Sequence, residues 1–480
     1  MIIHKYQENW NSIKEHKTPQ WIQEAKFGIY THWGVYSVPA YGPNGTWYPY
    51  NMYRKGSEQY RYHLRTYGHP AQFGYKDFIP MFTGEKFNAD EWAELFQKAG
   101  ARFAGPVAEH HDGFAMWNSK LTKWNAVKMG PKRDVVGELE KAIKQRSMKF
   151  MTAFHHAENW YFYPHWIKEF DTANPKYSRL YGPLHNHSSK PKGYGQPGEW
   201  EKQEVPNREF LNRWLAKLYE VIDGYQPDML WFDFGLKYII EPYKLKFLAY
   251  YYNKEKKWNR ELVVIYKNRD LPPGAGLIDL ERGRMDDLTY FDWITDTSVD
   301  DGDGWGYIQN VPYKSVTQLI HVLVDNVSKN GYLLLNVGPR SNGEITEAEK
   351  ERLLGIGNWL QINGEAIYDT TAWFIYGEGP TKMEKSGPFS ELKEPKYTPR
   401  DIRFTVKGNT LYAICLGWPE YARNYKISSL ARNTIIGKIS RVSLLGYNGR
   451  LQWKQNTNGL QITWPAVKPC DHAYTFKIEI

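Results

Sequence analysis

The stretch VVGELEKAIKQRSMKFMTAFHH, residues 135–156, carries the unit from which the architecture is read. Val135, Val136, Leu139, Ala142 and Ile143 recur at helical spacing, so one apolar face runs from Val135 to Arg146. Ser147 and Met148 break the pattern. Lys149 to His156 then forms a nearly continuous apolar run, as expected of a strand buried on both faces of a parallel sheet. That strand ends in two histidines, so polar chemistry sits where the strand stops.

The helix–strand couplet recurs in both directions along the chain. Strands are predicted at Phe27 to Trp33, Arg102 to Glu109, Asp228 to Asp233, Leu262 to Lys267 and Tyr332 to Val337, with weaker ones at Leu277 to Glu281 and Phe291 to Asp296. Helices are predicted at Asp90 to Lys98, Arg208 to Asp223, Lys244 to Asn253, Lys314 to Ser328 and Glu347 to Gln361. Eight strands alternating with helices predict an α/β fold, a (β/α)8 TIM-like barrel in which some crossovers lack a helix. An open doubly wound sheet is the alternative, but no Gly-rich phosphate loop accompanies these strands. From Thr371 the texture changes to short runs at 402–406, 410–416, 441–445, 460–464 and 474–480, separated by Gly, Pro and Asn. These predict a C-terminal β-sandwich. The expected division is 1–370 for the barrel and 371–480 for the sandwich, with a loop over Gly377 to Pro399.

Composition narrows the function classes. Of 480 residues, 16% are aromatic, which excludes a disordered chain. No run of about 18 apolar residues occurs, so no membrane helix is expected. Met1 to Lys17 has no apolar core of a signal peptide; a periplasmic or secreted location is expected only of a mature form. The net charge of +9 suits an anionic partner, yet the clusters Lys254 to Lys257 and Lys190 to Lys192 are short and no nucleic-acid motif accompanies them. Cys415 and Cys470 either pair or stay free.

A parallel barrel carries its site at the C-terminal strand ends. Read in order, those ends supply His32 and Trp33; Glu109, His110, His111 and Asp112; His155, His156 and Glu158; Trp231 and Asp233; Lys267 and Arg269; Asp279, Glu281 and Arg282; and Asp292, Trp293 and Asp296. A packing core does not end so uniformly in ionisable and aromatic residues. Paired carboxylates with aromatic walls suit glycoside hydrolysis. Histidine clusters suit metal-assisted hydrolysis, but no HExxH occurs, and adjacent histidines on a strand face opposite ways. The one H-x-H, His185 to His187, falls in a polar loop. No cofactor and no metal are expected.

Six motifs then coincide in order: KFGIYTHWGVYSVPAYG at 26–42, EHHDGFAMWNS at 109–119, PKRDVVGEL at 131–139, PDMLWFD at 227–233, NGYLLLNVGPRSNGEI at 330–345 and WLQINGEAIY at 359–368. On these the chain resembles glycoside hydrolase family 29, the retaining α-L-fucosidases. The resemblance implies a barrel followed by a β-sandwich and a double displacement with Asp233 as nucleophile. Glu281 is the expected acid/base, with Asp292 its rival. His32, Trp47, His110, His111, His155, Trp231 and Arg269 are the expected substrate-binding residues. The expected partner is a fucosylated glycan, with sulfation and oligomeric assembly left open. Thr46 departs from the Glu that many relatives carry before Trp-Tyr, and His155-His156 departs from their Tyr-Ser. Glu158 is the candidate replacement carboxylate. An α-L-galactoside, a sulfated fucoside or a non-catalytic sugar-binding role therefore stays open.

Overall fold

The computed structural model describes residues 5–185, 206–383, 385–392, 395–420, 424–432 and 437–480. His187 and the Lys190 to Lys192 cluster lie outside them. Eight parallel strands close into a barrel: β1 (Phe27–Thr31), β2 (Phe103–Glu109), β3 (Lys149–Phe154), β4 (Met229–Phe232), β5 (Val263–Lys267), β6 (Leu277–Asp279), β7 (Trp293–Ser298) and β8 (Gly331–Val337). Closure comes from β8 pairing with β1, with Phe27 opposite Leu333 and Thr31 opposite Val337. The interior is packed by Tyr30, Phe103, Val107, Met151, Trp231, Ile265, Ile294 and Leu334. Gly105 is needed for this closeness, because a Cβ there would stand 1.6 Å from the Met151 carbonyl oxygen.

The expected helices form at Ala89–Lys98, Val135–Gln145, Arg208–Tyr225, Glu241–Tyr252, Val316–Ser328 and Glu347–Asn363. Asn88, Asp134, Asn207, Ser315 and Thr346 each accept a first-turn N–H, which fixes where five of them begin. The β5–β6 and β6–β7 connections carry no helix. Those two gaps leave that side of the barrel rim to loops.

One strand is displaced from its expected position. Strand β7 begins two residues later than Phe291, because Tyr290 is fully exposed and Phe291 is half exposed. Asp292 therefore stands at the base of the barrel, opposite the site. Its carboxylate accepts from Tyr332 Oη at 2.5 Å and Gln23 Nε2 at 3.1 Å. Trp293 lies at the same end, donating to the Lys329 carbonyl.

Beyond the barrel, β9 (Thr371–Glu378), β10 (Ile402–Lys407), β11 (Thr410–Cys415), β12 (Asn424–Ile427), β13 (Arg441–Leu444), β14 (Trp453–Asn456), β15 (Gly459–Thr463) and β16 (Tyr474–Glu479) form two antiparallel sheets. One is ordered β13-β16-β11-β10-β9 and the other β12-β15-β14. Phe404, Ile427, Leu460, Ile462, Trp464 and Phe476 fill the core between them. Strands β12 and β14 escaped sequence reading because NYKI and WKQN are four-residue, largely polar stretches. Arg403 on β10 joins this unit to the barrel through Asp325 at 2.6 Å. Cys415 and Cys470 are both free.

Candidate active site

A cavity of about 640 Å³ opens at the C-terminal ends of the barrel strands. Its volume is in the range of small-molecule sites. His32, Trp47, His110, His155, Trp231, Asp233 and Glu281 all line it. They come from positions 32–281, so only barrel closure brings them together.

Asp233 follows β4, and its backbone N–H donates to the Phe154 carbonyl at 3.2 Å. Its Oδ2 lies 3.0 Å from His155 Nδ1 and 3.2 Å from His111 Nε2. Its Oδ1 lies 3.2 Å from Lys267 Nζ. Burial pushes this carboxyl up. The Lys267 charge and the adjoining His155 and His111 imidazoles outweigh burial and hold it well below the usual carboxylate range.

Glu281 follows β6, with Oε2 2.9 Å from the same Lys267 Nζ. Here the balance reverses. Burial pushes the Glu281 carboxyl up to about 7, against Lys267 and with help from Asp296 and Asp233. Lys267 also approaches Asp296 Oδ2 at 3.4 Å. Burial disfavours its charge, but the four carboxyls around it raise the ammonium well above its ordinary value. It lies 4.7 Å from the Trp231 ring. A floor of hydrogen bonds holds this group. Tyr30 Oη donates to Asp296 at 2.8 Å, and Trp231 Nε1 donates to Asp279 at 3.1 Å.

The expected cation, Arg269, is not in this cluster. Lys267 is the last residue of β5 and points inward, whereas Asn268 adopts a left-handed φ of 57° and turns the chain outward. Arg269 is exposed on that turn. Both residues were legible as strand-end cations, and the turn decides between them.

The expectation that only one histidine of each adjacent pair faces inward fails for His110 and His111. They follow the end of β2, where alternation no longer applies, and the β2–β3 register shifts between Val107 and Glu109. Their rings lie 4.3 Å apart; His110 lines the cavity and His111 touches Asp233. The second pair does split. His155 faces Asp233, while His156 stacks on Trp214 outside the barrel. Glu109 also turns out, to Lys217 at 2.6 Å. Glu158 is fully buried and is not among the residues lining the cavity.

Hydrogen-bond partners fix two of the imidazoles. Asn336 Nδ2 donates to the Trp305 carbonyl, so its Oδ1 accepts from His32 Nδ1–H at 2.8 Å. His155 Nδ1–H donates to the Asp233 carboxylate. Each therefore keeps a lone pair on Nε2. Burial lowers the basicity of His32 and His110, and brings His155 to about 4, so all three are neutral near pH 7. These three rings bring nitrogens within 4.8 Å of one another, as do the donors of His111, His155 and Asp233. In the second set His155 gives its Nδ1–H to the carboxylate, whereas His111 gives its Nδ1–H to the His155 carbonyl at 2.8 Å and directs Nε2 toward Asp233.

Five aromatic wall residues lay outside the sequence expectation: Tyr30, Phe234, Tyr238, Trp305 and Phe389. Trp305 comes from the Gly-rich loop after β7 and lies 5.5 Å from His32. Phe389 comes from the β9–β10 connection. The position of the Gly-rich loop after a strand end was the available signal for Trp305. Phe389 had none, because it reaches the site from the connection between two strands of the antiparallel sheet that follows the barrel.

A family model described as Alpha-L-fucosidase matches residues 2–365. The chain belongs to the α-L-fucosidase family. It is thus a glycoside hydrolase. The model of the family's C-terminal domain matches residues 396–479. Tissue alpha-L-fucosidase of Bos taurus is 31% identical over 490 residues, covering 99% of this chain and 91% of that protein. The Homo sapiens tissue enzyme is 30% identical over 489 residues, covering 99% and 92%. Among solved structures, Thermotoga maritima alpha-fucosidase in complex with fucose is 32% identical. It has a TM-score of 0.76 and covers 99% of this chain and 100% of that one. The superposition spans both the barrel and the β-sandwich of this chain.

Proposed function

We propose that this protein is a retaining, exo-acting α-L-fucosidase that releases terminal α-L-fucosyl residues from glycans by double displacement. One observation carries the reading. A single ammonium, Lys267 Nζ, touches two carboxyls whose environments push them in opposite directions, Asp233 at 3.2 Å and Glu281 at 2.9 Å. Those two oxygens are therefore no more than about 6 Å apart, the two contacts laid end to end. A retaining pair stands about 5–5.5 Å apart, and an inverting pair needs about 6.5 Å or more to admit water.

The chemistry follows from the two environments. Asp233, held ionised, attacks the anomeric carbon, and Glu281 gives its proton to the leaving oxygen. The glycosyl ester that forms removes the Asp233 charge. That charge is one of the causes raising Glu281, so its loss makes Glu281 more acidic. Glu281 then leaves the first step as a carboxylate and takes a proton from the attacking water in the second. The Nε2 lone pairs of His32 and His155 accept sugar hydroxyl hydrogens, while Trp231 and Trp47 offer apolar walls. Relatives named as fucosidases, one of them solved with fucose, support the choice of sugar.

The test is the anomer of the first-formed sugar, read by ¹H NMR during hydrolysis of an aryl α-L-fucoside. The reading expects α-L-fucose first. Initial β-L-fucose would overturn retention, and no hydrolysis would overturn the activity. Thr46 motivates a second reading. It lines the cavity fully buried, and its Oγ1 has no hydrogen-bond partner among the described residues. An α-L-galactoside or a sulfated fucoside, tried in the same assay, would reveal a different preference.

A further inference from the structure

Phe389 is half exposed, at 47%, and its ring lines the cavity although it belongs to the β9–β10 connection. That connection is stitched to the segment carrying Glu281. Gly387 and Arg284 exchange backbone hydrogen bonds at 2.7 and 3.4 Å. Phe389 N–H donates to the Glu281 carbonyl at 2.7 Å, and Glu391 N–H donates to the Arg282 carbonyl at 2.9 Å. Ser390 Oγ accepts from Arg284 N–H at 2.9 Å, and Thr297 Oγ1 donates to the Glu391 carboxylate at 2.6 Å. Phe389 is thereby fixed relative to Glu281.

Its backbone is also unusual. Phe389 has φ 56°, left-handed, which a residue with a side chain adopts only where its surroundings hold it. The ring has no aromatic partner among the described residues, and about half of the residue stays open to solvent. Chemistry says what belongs beside it. An acid that protonates a glycosidic oxygen must lie within hydrogen-bond reach of that oxygen, so the departing group begins against Glu281. An exposed aromatic face there suits the C–H face of a sugar ring. The nearest polar groups are already engaged or acidic, which favours a neutral group against the ring. Arg282 spends its guanidinium on the Gly302 and Gly304 carbonyls, at 2.6 and 3.0 Å, and Asp303 also lines the rim.

We propose that Phe389, supplied by the β9–β10 connection, forms the leaving-group subsite and takes the apolar face of a neutral glycosyl residue next to the fucose. The proposal rests on the fucosidase reading. Its test compares α-L-fucosyl fluoride, whose leaving group has no ring to stack, with a neutral fucosyl-hexose disaccharide. Phe389→Ala should lower kcat/KM for the disaccharide about tenfold, the scale of one lost aromatic contact, and leave the fluoride within about twofold. Phe389→Tyr should keep both. Methyl α-L-fucoside, which needs the acid but has no leaving-group ring to stack, should also stay within about twofold; a loss on it matching that on the disaccharide would reduce Phe389 to a support for Glu281, equal losses on the fluoride and the disaccharide would make it a support for the whole site, and no loss on any would remove it from the site; each overturns the proposal. A wild-type protein inactive on the fluoride would instead overturn the fucosidase reading.

Discussion

Lys267→Met removes the cation shared by Asp233, Glu281 and Asp296, which lie 3.2, 2.9 and 3.4 Å from Nζ. At about 3 Å and an effective dielectric of about 20, each such contact is worth about 5 kcal/mol before desolvation. Opposite charges at this range move a carboxyl by about one to three pH units. The sign is the same for both catalytic candidates, because losing a positive neighbour raises a carboxyl. Turnover needs Glu281 protonated, so wild-type activity should fall as pH rises through about 7. In Lys267→Met that basic limb should move above about 8. The acid limb, set by Asp233 ionisation, should move up as well. At its optimum, kcat/KM should fall about 100-fold or more, the cost of removing one preorganised charge. Lys267→Arg should hold both limbs near the wild-type positions. The assay is kcat/KM for an aryl α-L-fucoside across pH, with thermal unfolding to verify folding. A folded Lys267→Met protein whose basic limb stays at about 7, or moves down, would refute the electrostatic reasoning.

Other consequences are equally specific. Glu281→Ala should cost about 10²–10⁴-fold in kcat/KM on a fucoside with a poor leaving group and far less on one with a good leaving group, read by comparing alkyl and nitrophenyl fucosides. Asp292→Ala should leave kcat/KM within about twofold, since Asp292 bonds Tyr332 and Gln23 at the barrel base; a loss matching Glu281→Ala would contradict that placement. Arg403→Met should cost about 3–5 kcal/mol of unfolding free energy at pH 7, measured in urea, because Asp325 loses one of its two buried cations. Lys329 and Arg403 hold the Asp325 carboxyl well below its ordinary range, against burial. That stabilisation is present above the unfolded-state pKa, so the gap between variant and wild type should narrow as pH falls below about 4.

What was legible in the sequence follows from which forces are local. Helical spacing and apolar runs marked the barrel elements, because a parallel strand buried on both faces has to be apolar throughout. The strand-end rule brought His32, His155, Trp231, Asp233 and Glu281 to one cavity. The failures share a cause: they depend on where a strand starts and stops. Asp292 and Trp293 stand where β7 begins, so counting them with Asp296 as one strand end put them on the wrong side of the barrel. A left-handed Asn268 exchanged Arg269 for Lys267. His110 and His111 escaped strand alternation because β2 stops at Glu109. Phe389 was out of reach for a different reason, since a contact made by a loop more than 100 residues further along the chain leaves no periodic trace.

The central claim is that Asp233 attacks the sugar while Glu281 delivers and recovers the proton. The most direct measurement is hydrolysis of an aryl α-L-fucoside by Asp233→Gly, alone and with sodium azide, with product configuration assigned by NMR. The account predicts almost no turnover without azide. With azide it predicts partial recovery as β-L-fucosyl azide, inverted because the small anion attacks from the vacated carboxylate's side. Wild-type turnover by the folded variant without azide would contradict it.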